Sequence, residues 1–130
     1  MRYINLHAVP KEEKMLDLIR LIDLANKSHK IDFMAKEAPT SKVVVRVNIV
    51  EYGRRFFAIL SGGLLESKIV GVDITDDMED FNEVIRPLGY EWNPIQSGLH
   101  PYQNPLEVLR CEQKFVSEGG YTRRLLLVKV

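Results

Sequence analysis

The sequence predicts an α+β fold: a mostly antiparallel, twisted sheet of about five or six strands with two main helices packed on it. Three observations carry this expectation. Two segments repeat apolar residues at helical spacing, near the N-terminus and near residue 80. The β-rich segments cluster between them and at the C-terminus instead of alternating with helices, as a parallel sheet would require. Turn pairs such as Tyr52-Gly53 and Gly119-Gly120 separate neighbouring β-rich runs, as hairpins do. The expected order is β-α-β-β-β-α-loop-β-β, with both helices on one face.

Arg2 to Val9 alternates in polarity and reads as the first strand. Pro10 suits the first position of a helix, and Glu12 and Glu13 place acids at the positive end of its dipole. Met15, Leu18, Ile19, Ile22 and Ala25 follow at helical spacing, widened by Leu16, Leu21 and Leu24, with His29 and Lys30 closing the segment. The helix is expected over Pro10–Ser28. After the turn-rich run 37–41, Val43 to Val50 alternates in strand fashion, Tyr52-Gly53 turns, and a second β-rich run begins at Arg54. Ser67 to Ile74 is the third strand of this block. Thr75 is expected to cap a second helix, with Asp76, Asp77, Glu79 and Asp80 in its first turn. Phe81, Val84, Ile85 and Leu88 form its stripe, and Gly89 stops it.

The stretch from Gly89 to Pro105 shows neither period. It holds the one Trp, two of five Tyr and half of the six Pro. A long loop rich in aromatics is either a cover for apolar sheet surface or a binding surface, and Tyr90, Trp92, His100 and Tyr102 are its candidate binding residues. Leu106 to Val116 favours a strand, with a helix over Pro105–Lys114 as the alternative. Ser117 to Tyr121 turns the chain into a final strand, Thr122–Val130.

A chain of 130 residues fits a single globular domain, 1–130, large enough to bury a core without disulfide or metal. Lys plus Arg equals Asp plus Glu at 18 each, so no net field steers a polyanion or a membrane. One cysteine, Cys111, excludes an internal disulfide and a multi-cysteine zinc site; it reads as a small buried apolar residue. The N-terminus lacks the apolar run of a signal peptide, and no stretch reaches the ~20 apolar residues of a membrane span. A cytoplasmic protein without membrane association is expected, and no cofactor.

Four groups of residues carry candidate chemistry. Asp73, Asp76 and Asp77 lie at a strand end and helix start, where oxygen ligands suit Mg²⁺ or Ca²⁺; the alternative is helix capping. Glu51, followed by Glu66-Ser67-Lys68, resembles the pattern of PD-(D/E)xK nucleases, which implies two metal-holding acids and a lysine assisting the attacking water; the Pro-Asp of that pattern is absent. His7, His29 and His100 share no spacing that groups them. Arg46, Arg54, Arg55, Arg123 and Arg124 fall on strands or turn shoulders. Side by side, they would form a basic stripe for a single nucleic-acid strand, or serve ordinary salt bridges and edge protection.

These features point to a small binding or self-association module, leaning away from an enzyme. A homodimer is the expected partner arrangement, built on Leu125–Val128 as an apolar edge strand with Trp92 at its rim. A metal-dependent hydrolase or nuclease is the alternative, and nucleic-acid binding the second alternative.

Overall fold

The computed structural model describes residues 3–5, 12–35, 43–66, 68–92, 104–120 and 125–130, the first of these and 12–18 as backbone only. The elements are β1 (Tyr3–Asn5), α1 (Glu12–Lys27), β2 (Ile31–Ala35), β3 (Val43–Tyr52), β4 (Arg55–Ser61), β5 (Val70–Asp73), α2 (Glu79–Ile85), β6 (Tyr90–Trp92), α3 (Pro105–Ser117) and β7 (Leu126–Lys129). Among the described residues, seven strands form one sheet in the order β1-β5-β4-β3-β2-β7-β6, antiparallel except at β2–β7. The α+β class is as expected.

The long hairpin β3–β4 is the spine. Tyr52 pairs with Arg55, so the two turn residues are Gly53 and Arg54, both left-handed at φ 61° and 64°. Such a turn matches the right-handed twist of the flanking strands. The turn therefore sits one residue later than Tyr52-Gly53, and Arg54 belongs to it rather than to β4.

Cross-strand register decides which side chains share a face. Val45, Val47 and Ile49 line up with Ile31 and Phe33 on β2, Ala58 and Leu60 on β4, and Val70 and Val72 on β5. Phe81 and Ile85 of α2, and Val108 and Leu109 of α3, close this main core. On the opposite face, Val50 and Ile59 pack against Leu21 and Ala25 of α1. The helices thus lie on both faces of the sheet, not one. Helices on both faces explain why β3 buries Val50 as well as Val45, Val47 and Ile49, since a strand between two helix layers keeps little wet surface. Ile19 is exposed, so the buried stripe of α1 runs through Leu21, Leu24 and Ala25 and does not include it.

Three local expectations change. Residues 106–116 form a helix, α3. Asn104 accepts a hydrogen bond from the Leu106 amide at 3.0 Å, and Pro105 occupies the first turn, which is the preferred chemistry of a helix start. Thr75 does not cap α2; its hydroxyl oxygen accepts the Phe56 amide at 2.8 Å and fastens the exit of β5 to β4. Asp77 instead accepts the Glu79 amide at 3.0 Å. Finally, Leu125–Val128 is not at an edge: β7 lies between β2 and β6, with Leu125 and Leu127 fully buried. Gly89, left-handed at φ 97°, does end the helical segment as expected.

No helix among the described residues is long and apolar enough to cross a membrane.

Candidate functional site

Strand β3 has ten residues and β2 only five. Their pairing ends at Ile31 opposite Val47, so the far end of β3 loses its neighbour on that side. The gap is filled from α3. The Gln113 side chain accepts the Ile49 amide at 2.7 Å and donates to the Ile49 carbonyl at 2.9 Å. One carboxamide takes the place of a strand residue, because it presents a donor and an acceptor with the spacing of a peptide group. The end of α1 is tied beside it by Asn48 Nδ2, which donates to the Ser28 carbonyl at 3.2 Å.

Around this join lies an open cleft of about 330 Å³. Its floor is Ile49 and Phe56. Its walls carry His29 from the end of α1, Glu51 from β3, and Arg110 and Lys114 from one face of α3. Arg110 lies over the Phe56 ring, its guanidinium carbon 4.6 Å from the ring centroid. A cation stacked this way keeps the N–H edge of its guanidinium available. Among the described residues no carboxylate pairs with Arg110 or Lys114, and no cation with Glu51. The end of α1, the β3–β4 hairpin and α3, all distant in sequence, bring these groups together, and Glu51 and Phe56 are direct cross-strand partners in the hairpin.

The other predicted site residues are placed differently. Asp73 and Asp76 converge on the Arg55 guanidinium: Nε donates to Asp73, and a terminal nitrogen donates to Asp76 at 2.9 Å. Asp73 is buried and also accepts the Thr75 amide at 2.9 Å. Burial works against its charge, yet the bonds from Arg55 and Thr75 outweigh it and hold the carboxyl below its ordinary range. The bonds to Asp73 and Asp76 raise the Arg55 guanidinium above its ordinary value. A protein cation thus occupies the place that the sequence suggested for a metal, and Asp77 is spent on the α2 start. Among the described residues, no group of three or more His, Cys, Asp or Glu is placed to hold a metal.

Glu51, Glu66 and Lys68 are not brought together. Glu66 follows a tight 3-10 turn, Gly63–Leu65, that packs on Val44 at the start of β3, the Gly63 α-carbon side lying against the Val44 carbonyl. Glu51 is seven residues further along β3, about 23 Å away at ~3.3 Å per residue. The arginine stripe is likewise divided. Arg46 bonds Asp32 at 3.3 Å, while Arg55 sits at the other end of the hairpin with Asp73 and Asp76. Arg123, Arg124, His7, His100 and Tyr102 lie outside the described residues.

Trp92 is not a surface residue. It is 3% exposed and packs edge-on to Phe33 at 5.3 Å and Phe81 at 6.0 Å between ring centroids. Tyr90, two residues earlier on β6, packs half-buried against the same core. The part of the aromatic loop that is described is therefore sheet and core. Cys111 is exposed, not buried, because it points away from the Val108–Leu109–Glu112 face of α3.

Sequence reasoning missed Arg110, Gln113 and Lys114 as site residues. The signal was present in their spacing: positions 110, 113, 114 and 117 share one face of a helix, visible once α3 is read as a helix. Comparison with protein-family profiles, curated proteins and solved structures finds no match, so the geometry of the cleft alone carries the functional argument.

Proposed function

We propose that this chain is a binding module, without a catalytic role of its own, whose site is the cleft between α3 and the β3–β4 hairpin. The observation that carries it is the convergence of Arg110 and Lys114, neither paired with a carboxylate among the described residues, on one concave surface with an apolar floor. Concave sites with an apolar base and a few convergent polar groups are the usual form of a small-ligand pocket. The ligand is anionic, because two cations four residues apart on a helix face repel each other unless an anion lies between them.

Self-association through the C-terminal strand lacks the free edge it needs, since β7 is paired on both sides. The outer edge of β6 is also occupied at Trp92, whose amide donates to Asn82 Oδ1 at 3.1 Å. A nucleic-acid platform of arginines has no support in the placement of Arg46 and Arg55, both of which face carboxylates.

Thermal unfolding in the presence of small anions tests the proposal. A ligand at one hundred times its Kd stabilises the folded state by about 2.7 kcal/mol. Over this chain that amounts to about 10 °C in Tm. Arg110→Ala should abolish the shift while leaving the Tm of the free protein nearly unchanged. If no mono- or polyvalent anion at 10 mM raises Tm in an Arg110-dependent way, the cleft is not the binding site.

A further inference from the structure

Resting on the cleft as the binding site, we propose that its ligand is a phosphomonoester carrying free hydroxyl groups. The donor-rich wall is the first reason. A guanidinium edge from Arg110, an ammonium from Lys114 and an imidazole from His29 come from two separate elements and line one cleft. A carboxylate has two oxygens and satisfies one such partner well. A phosphomonoester dianion has three terminal oxygens and accepts from all three at once.

The acceptor side is the second reason. The Ser28 hydroxyl donates to the Leu24 carbonyl at 2.8 Å, and the Ser117 hydroxyl donates to the Lys114 carbonyl at 2.7 Å. With their protons so used, the hydroxyl oxygens of these two cleft-lining residues are left as acceptors. Glu51 adds a carboxylate on the hairpin side. Ile49 spends its amide and carbonyl on Gln113 and not on Ala58, its partner across β4. Strand alternation then turns the Glu51 carbonyl, a further acceptor, toward the same gap, together with the Glu51 amide, a donor. Inorganic phosphate has only its own P–OH to offer these acceptors, and Glu51 would repel it. Hydroxyls on the same molecule as the phosphate satisfy them.

Free sugar phosphates and nucleoside monophosphates share this chemistry, and calorimetric titration with ribose 5-phosphate, AMP, ribose, inorganic phosphate and succinate separates the cases. Ribose 5-phosphate should bind at least tenfold tighter than inorganic phosphate, and ribose alone should not bind. AMP tighter than ribose 5-phosphate indicates a nucleotide; AMP equal or weaker indicates a sugar phosphate. Arg110→Ala and Lys114→Ala should each weaken ribose 5-phosphate at least tenfold. Glu51→Gln should bring ribose 5-phosphate down toward inorganic phosphate without weakening inorganic phosphate itself, a split that general damage to the fold would not produce. All three side chains reach the surface, and unchanged Tm values verify that the variants fold. Equal affinity for ribose 5-phosphate and inorganic phosphate overturns the role of the hydroxyls. Arg110-dependent binding of succinate without binding of either phosphate overturns the phosphomonoester and keeps the cleft. No binding of any of the five overturns both.

Discussion

Replacing Gln113 isolates the contact that closes the sheet against α3. Its carboxamide makes two hydrogen bonds to Ile49, at 2.7 and 2.9 Å, and Ile49 itself is only 5% exposed. Each such bond contributes about 1 kcal/mol net, and a buried group left unsatisfied costs about 1–3 kcal/mol. The cleft beside Gln113 is open, so solvent partly replaces the lost bonds, and the loss for Gln113→Ala is about 2 kcal/mol. At about 2.1 cal/mol/K per residue, the unfolding entropy of a 130-residue chain makes this about 7 °C in Tm. Gln113→Leu keeps the volume but removes donor and acceptor and keeps water out, so it should cost at least as much as alanine. Thermal denaturation gives the stability, and amide hydrogen exchange at Ile49 gives the location: its protection should fall in both variants. A Gln113→Leu protein within about 0.5 kcal/mol of wild type, with Ile49 still protected, would refute the reasoning, because it would mean that packing alone holds α3 to the sheet.

Asp73→Asn should lower stability at pH 7 by about 2 kcal/mol, since it removes charge-assisted bonds to Arg55. The folded carboxyl lies below its ordinary value of about 3.9. Its contribution is therefore fully present above that pH and is lost as pH falls through the lower folded value. Urea titrations from pH 7 to pH 2 should show the two proteins converging at the acid end; a constant gap across that range would contradict the assignment. Among the described residues, none accepts a hydrogen bond from the buried Trp92 Nε1, so Trp92→Phe should cost less than about 1 kcal/mol by removing an unsatisfied donor along with ring area. Trp92→Ala should cost about 3–5 kcal/mol, and equal costs in chemical denaturation would show that the indole nitrogen is satisfied. A methyl group on Gly63 would lie 1.5 Å from the Val44 carbonyl oxygen, whereas one on Gly53 meets nothing within 4 Å. Gly63→Ala should therefore be far less stable than Gly53→Ala, which pays about 1 kcal/mol for its left-handed backbone alone; similar Tm values would disprove the close approach.

Much of the fold was legible because it is encoded locally. The stripe through Leu21 and Ala25 marks α1, the alternation from Val43 to Val50 marks β3, and the Phe81–Ile85 repeat marks α2. The apolar run at Leu125–Val128 marks β7. Each is long or periodic enough for neighbouring residues to declare it. Ile31–Ala35 and Tyr90–Trp92 were not legible, since strands of five and three residues hold too few side chains for a period and exist only through their pairing. The α3 helix was obscured by Glu112 and Gln113. Glu112 turns inward and Gln113 reaches the sheet backbone, and the Asn104-Pro105 start was the signal to weigh against them.

What the sequence determined by itself is the α+β class and the side chains available for a core, because burial and local periodicity act over a few residues. Tertiary structure alone decided that helices lie on both faces, that β7 is interior, that Trp92 is core and that Asp73 and Asp76 serve Arg55. It also decided the cleft. Gln113 meets Ile49 across 64 residues of chain, and His29, Glu51, Arg110 and Lys114 come from three elements. Their meeting depends on where β2 stops and how α3 crosses the sheet, which are outcomes of packing the whole chain at once.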